Sequence, residues 1–309
     1  TSNLCPSIEL LQNSFKNLSG IQSLEFHIPK YYKFKNNELY IDNIAYVLIT
    51  SQIPINKIKT NNVTNFVLND ATLLNTFEFD DKLKNLSLFK INVDILKNIK
   101  SDNINTLLLN GCYLNNNINF KDQFPNLKHL QLDFSKFSSD FDISSIEGNY
   151  NSLSLNYTSI CYNYNKQFED YSSFKNLKSL QLNGNNHINK IQGFNGNNLS
   201  LDFSNNIQVF NFQNLESLYL QYNKFIRGKD TELFKNIKTI DLSGTNIEYL
   251  SENITNLQNF IGQACKNLTN FPNYKELDTV NLNSCYNLEK INTLKIKKLF
   301  CNDCPKLKN

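Results

Sequence analysis

The spacing of leucine constrains this chain more than any other feature. Leu177-Lys-Ser-Leu180-Gln-Leu182-Asn-Gly-Asn185, Leu215-Glu-Ser-Leu218-Tyr-Leu220-Gln-Tyr-Asn223 and Ile104-Asn-Thr-Leu107-Leu-Leu109-Asn-Gly-Cys112 share one pattern. With the first leucine as position 0, apolar residues recur at positions 3 and 5, and Asn or Cys stands at position 8. In this frame position 0 falls at Ile21, Ile44, Val63, Leu83, Ile104, Leu127, Tyr150, Leu177, Gly196, Leu215, Ile237, Leu257, Leu277 and Ile296. The copies are spaced by roughly 19 to 27 residues, the period of stacked supersecondary units rather than of a single compact core.

Physical chemistry assigns each position a task. Positions 3 and 5 lie on the same side of a short strand and enter the core, while position 4 points outward. Strands of successive copies pair in parallel about 4.8 Å apart. At position 8 the chain leaves the strand, and an amide or thiol there can bond to backbone groups of the turn. Asn185, Asn223, Cys112, Cys265, Cys285 and Cys304 fall at this position. The pattern resembles the leucine-rich-repeat signature. That resemblance implies an α/β solenoid, a right-handed superhelix or horseshoe. Its parallel β-sheet would line the concave face, and its convex face would carry short irregular or 3-10 returns. Cys265-Lys-Asn-Leu268, Cys285-Tyr-Asn-Leu288 and Cys304-Pro-Lys-Leu307 fit such short returns.

The ends read differently. Residues 1–20 predict a capping helix, with Pro6-Ser7 at its start and Ile8, Leu11, Phe15 and Leu18 on one face. Residues 21–309 are then a solenoid of about fourteen repeats without a C-terminal cap. The strand around Leu299 is expected to have an open edge, to be covered by a missing segment, by self-association or by a partner.

A net charge of +3 over 309 residues gives no electrostatic case for nucleic acid or an acidic membrane. No apolar run reaches the roughly 18 residues of a membrane span, and the first residues show no basic start followed by an apolar stretch. The chain holds 55 asparagines and one arginine, Arg227, a bias that codon usage in an A/T-rich genome explains. Seven sequons, at Asn17, Asn62, Asn85, Asn156, Asn198, Asn253 and Asn267, are what chance supplies at that asparagine content.

No catalytic constellation is legible, and no cofactor is expected. Cys301-x-x-Cys304 with Cys265 and Cys285 upstream could be read as a zinc site. The repeat frame makes Cys301 a core residue and the others turn residues, so we expect structural thiols and no metal. An odd cysteine count without a dense terminal cluster leans towards a cytoplasmic or other reducing compartment. The three histidines, His27, His129 and His187, fall in repeats one, six and eight and out of phase. Gly228-Lys229 lacks the upstream glycine of a phosphate loop.

The remaining candidate is a surface. Position 4 carries Gln131, Ser154, Gln181, Ser200, Tyr219, Asp241, Ile261 and Asn281, and position 6 carries Asp133, Asn156, Asn183, Asp202, Gln221, Ser243, Gln263 and Asn283. Beside this polar strip, repeats two, three and five place Leu48, Val67 and Leu108 at position 4. A polar strip next to an apolar patch suits a protein or peptide partner. The expected contacts are Gln131, Asp133, Ser154, Asn156, Gln181, Asn183, Ser200, Asp202, Tyr219, Gln221 and Asp241. The long Tyr150 repeat adds Tyr162, Tyr164, Phe168, Tyr171 and Phe174, a loop that either folds on its own core or anchors a partner. By resemblance, three roles stay open. One is a non-catalytic protein-binding scaffold. Another is the substrate-recognition domain of a larger enzyme, such as a ubiquitin ligase or a microbial effector. The third is a cell-surface adhesion or receptor ectodomain.

Overall fold

The computed structural model describes residues 22–28, 38–51, 55–69, 74, 76–90, 93–115, 118–138, 141, 143–160, 170–186, 188, 190–204 and 214–308. The expected helix over residues 1–20 lies outside these, as do Ile21, Tyr162, Tyr164, Phe168 and His187. The chain divides into two units: residues 1–150 with 158–163, and residues 151–157 with 164–309. Each is a stack of parallel β-turns, a β-solenoid. Among the described residues helix is confined to one α-turn, Phe120–Gln123, and three 3-10 segments, Val93–Asn98, Ile143–Ile146 and Gly228–Leu233.

In the first unit the main sheet runs through β1 (Ser23–Ile28), β3 (Tyr46–Ser51), β5 (Asn65–Asn69), β7 (Asn85–Phe89), β8 (Thr106–Asn110) and β10 (His129–Gln131), all parallel. Its register follows the repeat frame: Val47 faces Phe66, Phe66 faces Leu86, Leu86 faces Leu107 and Leu107 faces Leu130. The returns depart from the expectation of irregular or 3-10 chain. β2 (Glu38–Asp42), β4 (Lys57–Asn61) and β6 (Thr76–Phe79) form a second parallel sheet. Their sequences alternate in polarity, Leu39 and Ile41 or Ile58 and Thr60 pointing in, so a strand with one buried face satisfies them. At the corners after β2 and β4, Asn43 and Asn62 have φ of 60° and 56°, a left-handed conformation that asparagine tolerates. The Asn62 side-chain amide donates a hydrogen bond to Asn43 Oδ1 at 2.7 Å. Further along, β9 (Tyr113–Leu114), β11 (Lys136–Phe137) and β13 (Ser159–Ile160) form a short return sheet. The α-turn is capped by the Asn119 side chain, and the Gln123 amide donates to the buried carbonyls of Leu96 and Ile99.

In the second unit eight parallel strands are stacked: β12 (Ser152–Ser154), β14 (Ser179–Gln181), β15 (Asn198–Ser200), β16 (Ser217–Tyr219), β17 (Thr239–Asp241), β18 (Asn259–Ile261), β20 (Leu277–Asn281) and β22 (Ile296–Phe300). The short β19 (Asn270–Phe271) and β21 (Lys290–Ile291) pair on the return side. Position 3 is in register throughout: Leu153, Leu180, Leu199, Leu218, Ile240, Phe260, Val280 and Leu299. All but Leu299 are essentially inaccessible to solvent, whereas Leu299, on the last described strand, is 43% exposed. Repeats of unequal length keep this register because the extra residues sit in the returns. Two unusual position-0 residues are explained by packing. Tyr150 is buried with its ring, and at Gly196 the Phe194 ring fills the space a side chain would occupy, 2.5 Å from the place of a Cβ.

From the fourth repeat onward, position 7 is left-handed: Lys90, Gly111, Phe134, Tyr157, Gly184, Phe203, Tyr222, Gly244, Ala264, Ser284 and Asp303 all have φ between 52° and 69°. This reversal aims position 8 back into the core. There, the side chain bonds to the position-5 carbonyl of the preceding turn. Asn185 donates to Leu155 (2.6 Å), Ser204 to Leu182 (2.8 Å), Asn223 to Leu201 (2.8 Å), and the thiols of Cys265, Cys285 and Cys304 to Leu242, Gly262 and Leu282 (3.1, 3.0 and 3.0 Å). Ser135 and Cys112 do the same in the first unit, to Leu109 and Leu88. The ladder adds a side-chain bond to buried carbonyls, of which those of Leu201, Leu242, Gly262 and Leu282 also accept a backbone N–H of their own turn; a bond of this kind contributes about 0.5–1.5 kcal/mol.

Candidate recognition surface

The outward positions of β12 to β17 bring most of the expected contact residues into one bonded strip. The amide of Asn156 donates to Ser154 Oγ (2.9 Å) and to Gln181 Oε1 (3.2 Å). Its carbonyl oxygen accepts the backbone N–H of Asn183 (2.8 Å). Asn183 Oδ1 accepts the N–H of Asp202 (2.8 Å) and the hydroxyl of Ser200 (2.7 Å). Asp202 Oδ1 accepts the N–H of Gln221 (2.6 Å), and the Gln221 amide donates to Asp241 Oδ2 (2.8 Å). Asp241 Oδ1 accepts from the N–H of Ser243 (2.9 Å). Tyr219 stands on the same face, half-buried in β16. Gln131 and Asp133 belong to the first unit and bond to one another at 2.9 Å.

Position 6 therefore has a structural duty that the sequence reading did not assign. Asn156, Asn183 and Asp202 each cap the N–H of the position-6 residue of the next turn, and Ser243 to Gln263 and Asn283 to Asn302 repeat the arrangement. Ser200 is also largely buried, its hydroxyl turned to Asn183. Gln181 is the exposed member of the strip, and Tyr219 is half-buried like Ser154, Asn156, Asn183, Asp202 and Gln221.

The strip carries little charge. In the second unit, from Ser152 to Ser284, positions 2, 4, 6 and 7 contain no lysine or arginine, and Asp202 and Asp241 are their only formally charged residues. Burial, opposed by the bond from Gln221 and reinforced by Asp241, pushes the Asp202 carboxyl up to about 6. Burial likewise raises that of Asp241, against the bonds from Ser243.

A second row flanks the strip and was not singled out from sequence. The left-handed turns place the rings of Tyr157, Phe203 and Tyr222 at the surface, 44%, 42% and 48% exposed. Phe203 and Tyr222 stack with centroids 4.7 Å apart and planes 15° from parallel. The Tyr157 ring lies across Gly184, and the Tyr222 ring lies across Gly244. Aligning position 7 of the repeats is the signal that would have found this row.

The groups considered for chemistry are dispersed. His27 and His129 are exposed on β1 and β10, five strands apart in the first unit's sheet. Cys112, Cys265, Cys285, Cys301 and Cys304 are thiols outside any disulfide, and burial pushes the Cys265 and Cys285 thiols up to about 11 and 12. Among the described residues no group of three or more His, Cys, Asp or Glu is placed to hold a metal, and no helix is long and apolar enough to cross a membrane. Neither a family model nor a curated protein matches the chain.

Proposed function

We propose that the chain is a leucine-rich-repeat recognition module without catalytic activity, binding a protein partner through the outer face of its main sheet. One observation carries this reading: the hydrogen-bonded strip from Ser154 to Ser243, fixed by side-chain capping of successive turns. A surface whose side chains are already ordered loses little conformational freedom on binding, which favours recognition over a broad, flat area. The repeat pattern supports the family reading, since in the repeats between the two end ones positions 0, 3 and 5 are buried, and position 8 carries the ladder bonds.

The test uses the exposed Gln181 and the outward-facing Tyr219 of the strip. Gln181→Lys with Tyr219→Lys adds bulk and charge to the face and leaves the core positions Leu180 and Leu218 untouched. Affinity capture from cells of the source, comparing this variant with the wild-type chain at equal melting temperature, should lose a partner. Capture of the same set by both chains would remove the strip from the binding surface.

A further inference from the structure

Left-handed turns are occupied at low cost by glycine, and Gly184 and Gly244 follow that rule. Tyr157, Phe203 and Tyr222 do not. Bulky side chains at φ of 52°, 59° and 58° are outliers, and each of these rings also remains about half exposed to water. Burial does not account for the choice of residue. Backbone strain that coincides with exposed apolar surface points to a contact surface.

The surroundings restrict what that contact can be. The rings sit at position 7, directly after the position-6 row that holds Asp202, in a region whose positions 2, 4, 6 and 7 lack any lysine or arginine. Nucleic acid and acidic peptides would meet Asp202 and Asp241 at those positions and neither lysine nor arginine. A basic side chain fits instead: its alkyl stem can lie along the rings while its charged head reaches Asp202. Position 7 recurs with the strand spacing of about 4.8 Å, so Tyr157 to Tyr222, with Gly184 between Tyr157 and Phe203, covers three repeat steps, roughly 14 Å. An extended chain of four or five residues spans that distance.

We propose that the row of Tyr157, Phe203 and Tyr222, with Asp202 beside it, docks an extended segment of a partner protein rich in arginine or lysine. This inference rests on the protein-binding reading above and names the partner's chemistry and the part of the surface that selects it.

The probe is a fluorescein-labelled peptide of alternating arginine and serine. Its glutamate-for-arginine counterpart and a soluble β-glucan serve as comparisons, all against the full chain. The variant Phe203→Gly with Tyr222→Gly removes both rings at positions where glycine is favoured, so folding is not put at risk, and its melting curve verifies this. The arginine peptide should bind the wild-type chain and lose at least tenfold in affinity with the double-glycine variant. Asp202→Asn should weaken binding severalfold and flatten its salt dependence. Equal binding by wild type and double-glycine variant overturns the proposal. So does a chain that ignores the peptide and binds the glucan through the rings, or one that binds neither. The two readings separate in the capture experiment. A partner lost with Gln181→Lys/Tyr219→Lys but retained by the double-glycine variant leaves the strip reading standing and removes this one, and a partner retained by both variants removes both.

Discussion

The ring of Tyr222 lies so close over Gly244 that a Cβ on that glycine would stand 2.5 Å from the ring. Gly244 also has φ of +67°, so two separate constraints hold it as glycine. Gly244→Ala is expected to cost about 2 kcal/mol, part from left-handed strain and part from displacing the ring. In a Tyr222→Gly background only the strain should remain. A double-mutant cycle by urea unfolding measures the difference, and strict additivity would show that the ring contact contributes nothing.

The thiol of Cys285 donates to the Gly262 carbonyl at 3.0 Å, and the Ser204 hydroxyl does the same for Leu182 at 2.8 Å. Serine is therefore compatible with this position. Cys285→Ser should stay within about 1 kcal/mol of wild type, whereas Cys285→Ala leaves the Gly262 carbonyl only the longer 3.4 Å bond from the Cys265 N–H and should cost about 1–3 kcal/mol. Equal losses would mean that volume, and not the ladder bond, is what the site requires.

Asp202 links stability to pH. Its folded carboxyl titrates at about 6 against an ordinary value of 3.8, chiefly because of burial. Between those values the folded chain holds more protons than the unfolded one, so this group's contribution to stability falls as pH rises from 4 to 6 and is flat above. An asparagine can still accept the Gln221 N–H, as Asn183 accepts that of Asp202. Asp202→Asn should thus remove this slope and stabilise the fold at pH 7 by about 1 kcal/mol, a figure reduced for solvent screening of a partly exposed group. Unfolding curves at pH 4.5 and 7 check it; an unchanged pH dependence would contradict the assignment.

Leu180 is fully buried between Leu153 and Leu199 on neighbouring strands. Leu180→Asp places an unpaired charge in the stack and should cost more than about 3 kcal/mol, melting the surrounding turns. A circular-dichroism melt indistinguishable from wild type would show that the repeat frame is wrong.

Burial raises the Cys265 and Cys285 thiols to about 11 and 12, so little thiolate exists at pH 8. Both should resist alkylation in the native chain and react on unfolding, while the partly exposed Cys301 and Cys304 are labelled first. Peptide mapping after brief iodoacetamide treatment reads the order, and early labelling of Cys265 would mean that the core opens readily.

The return strands of the first unit show how legibility fails locally. Glu38–Asp42 and Lys57–Asn61 alternate clearly, yet the leucine frame draws attention to the other side of each turn. At the candidate site, the sequence frame put Asn156, Asn183 and Asp202 on the right face. It did not reveal that they cap backbone N–H groups of the following turn, because those donors lie 19 to 27 residues away in sequence.

The sequence by itself determined the solenoid, the position of the main-sheet strands and the inward direction of positions 3 and 5. Each follows from burying an apolar residue at a fixed interval, a requirement that every repeat states separately. Only the tertiary structure decided which polar side chains serve the backbone and which remain for a partner, and that aromatic rings stand in the left-handed turns. Those outcomes depend on what the adjacent turn presents about 4.8 Å away, and no single repeat encodes its neighbour.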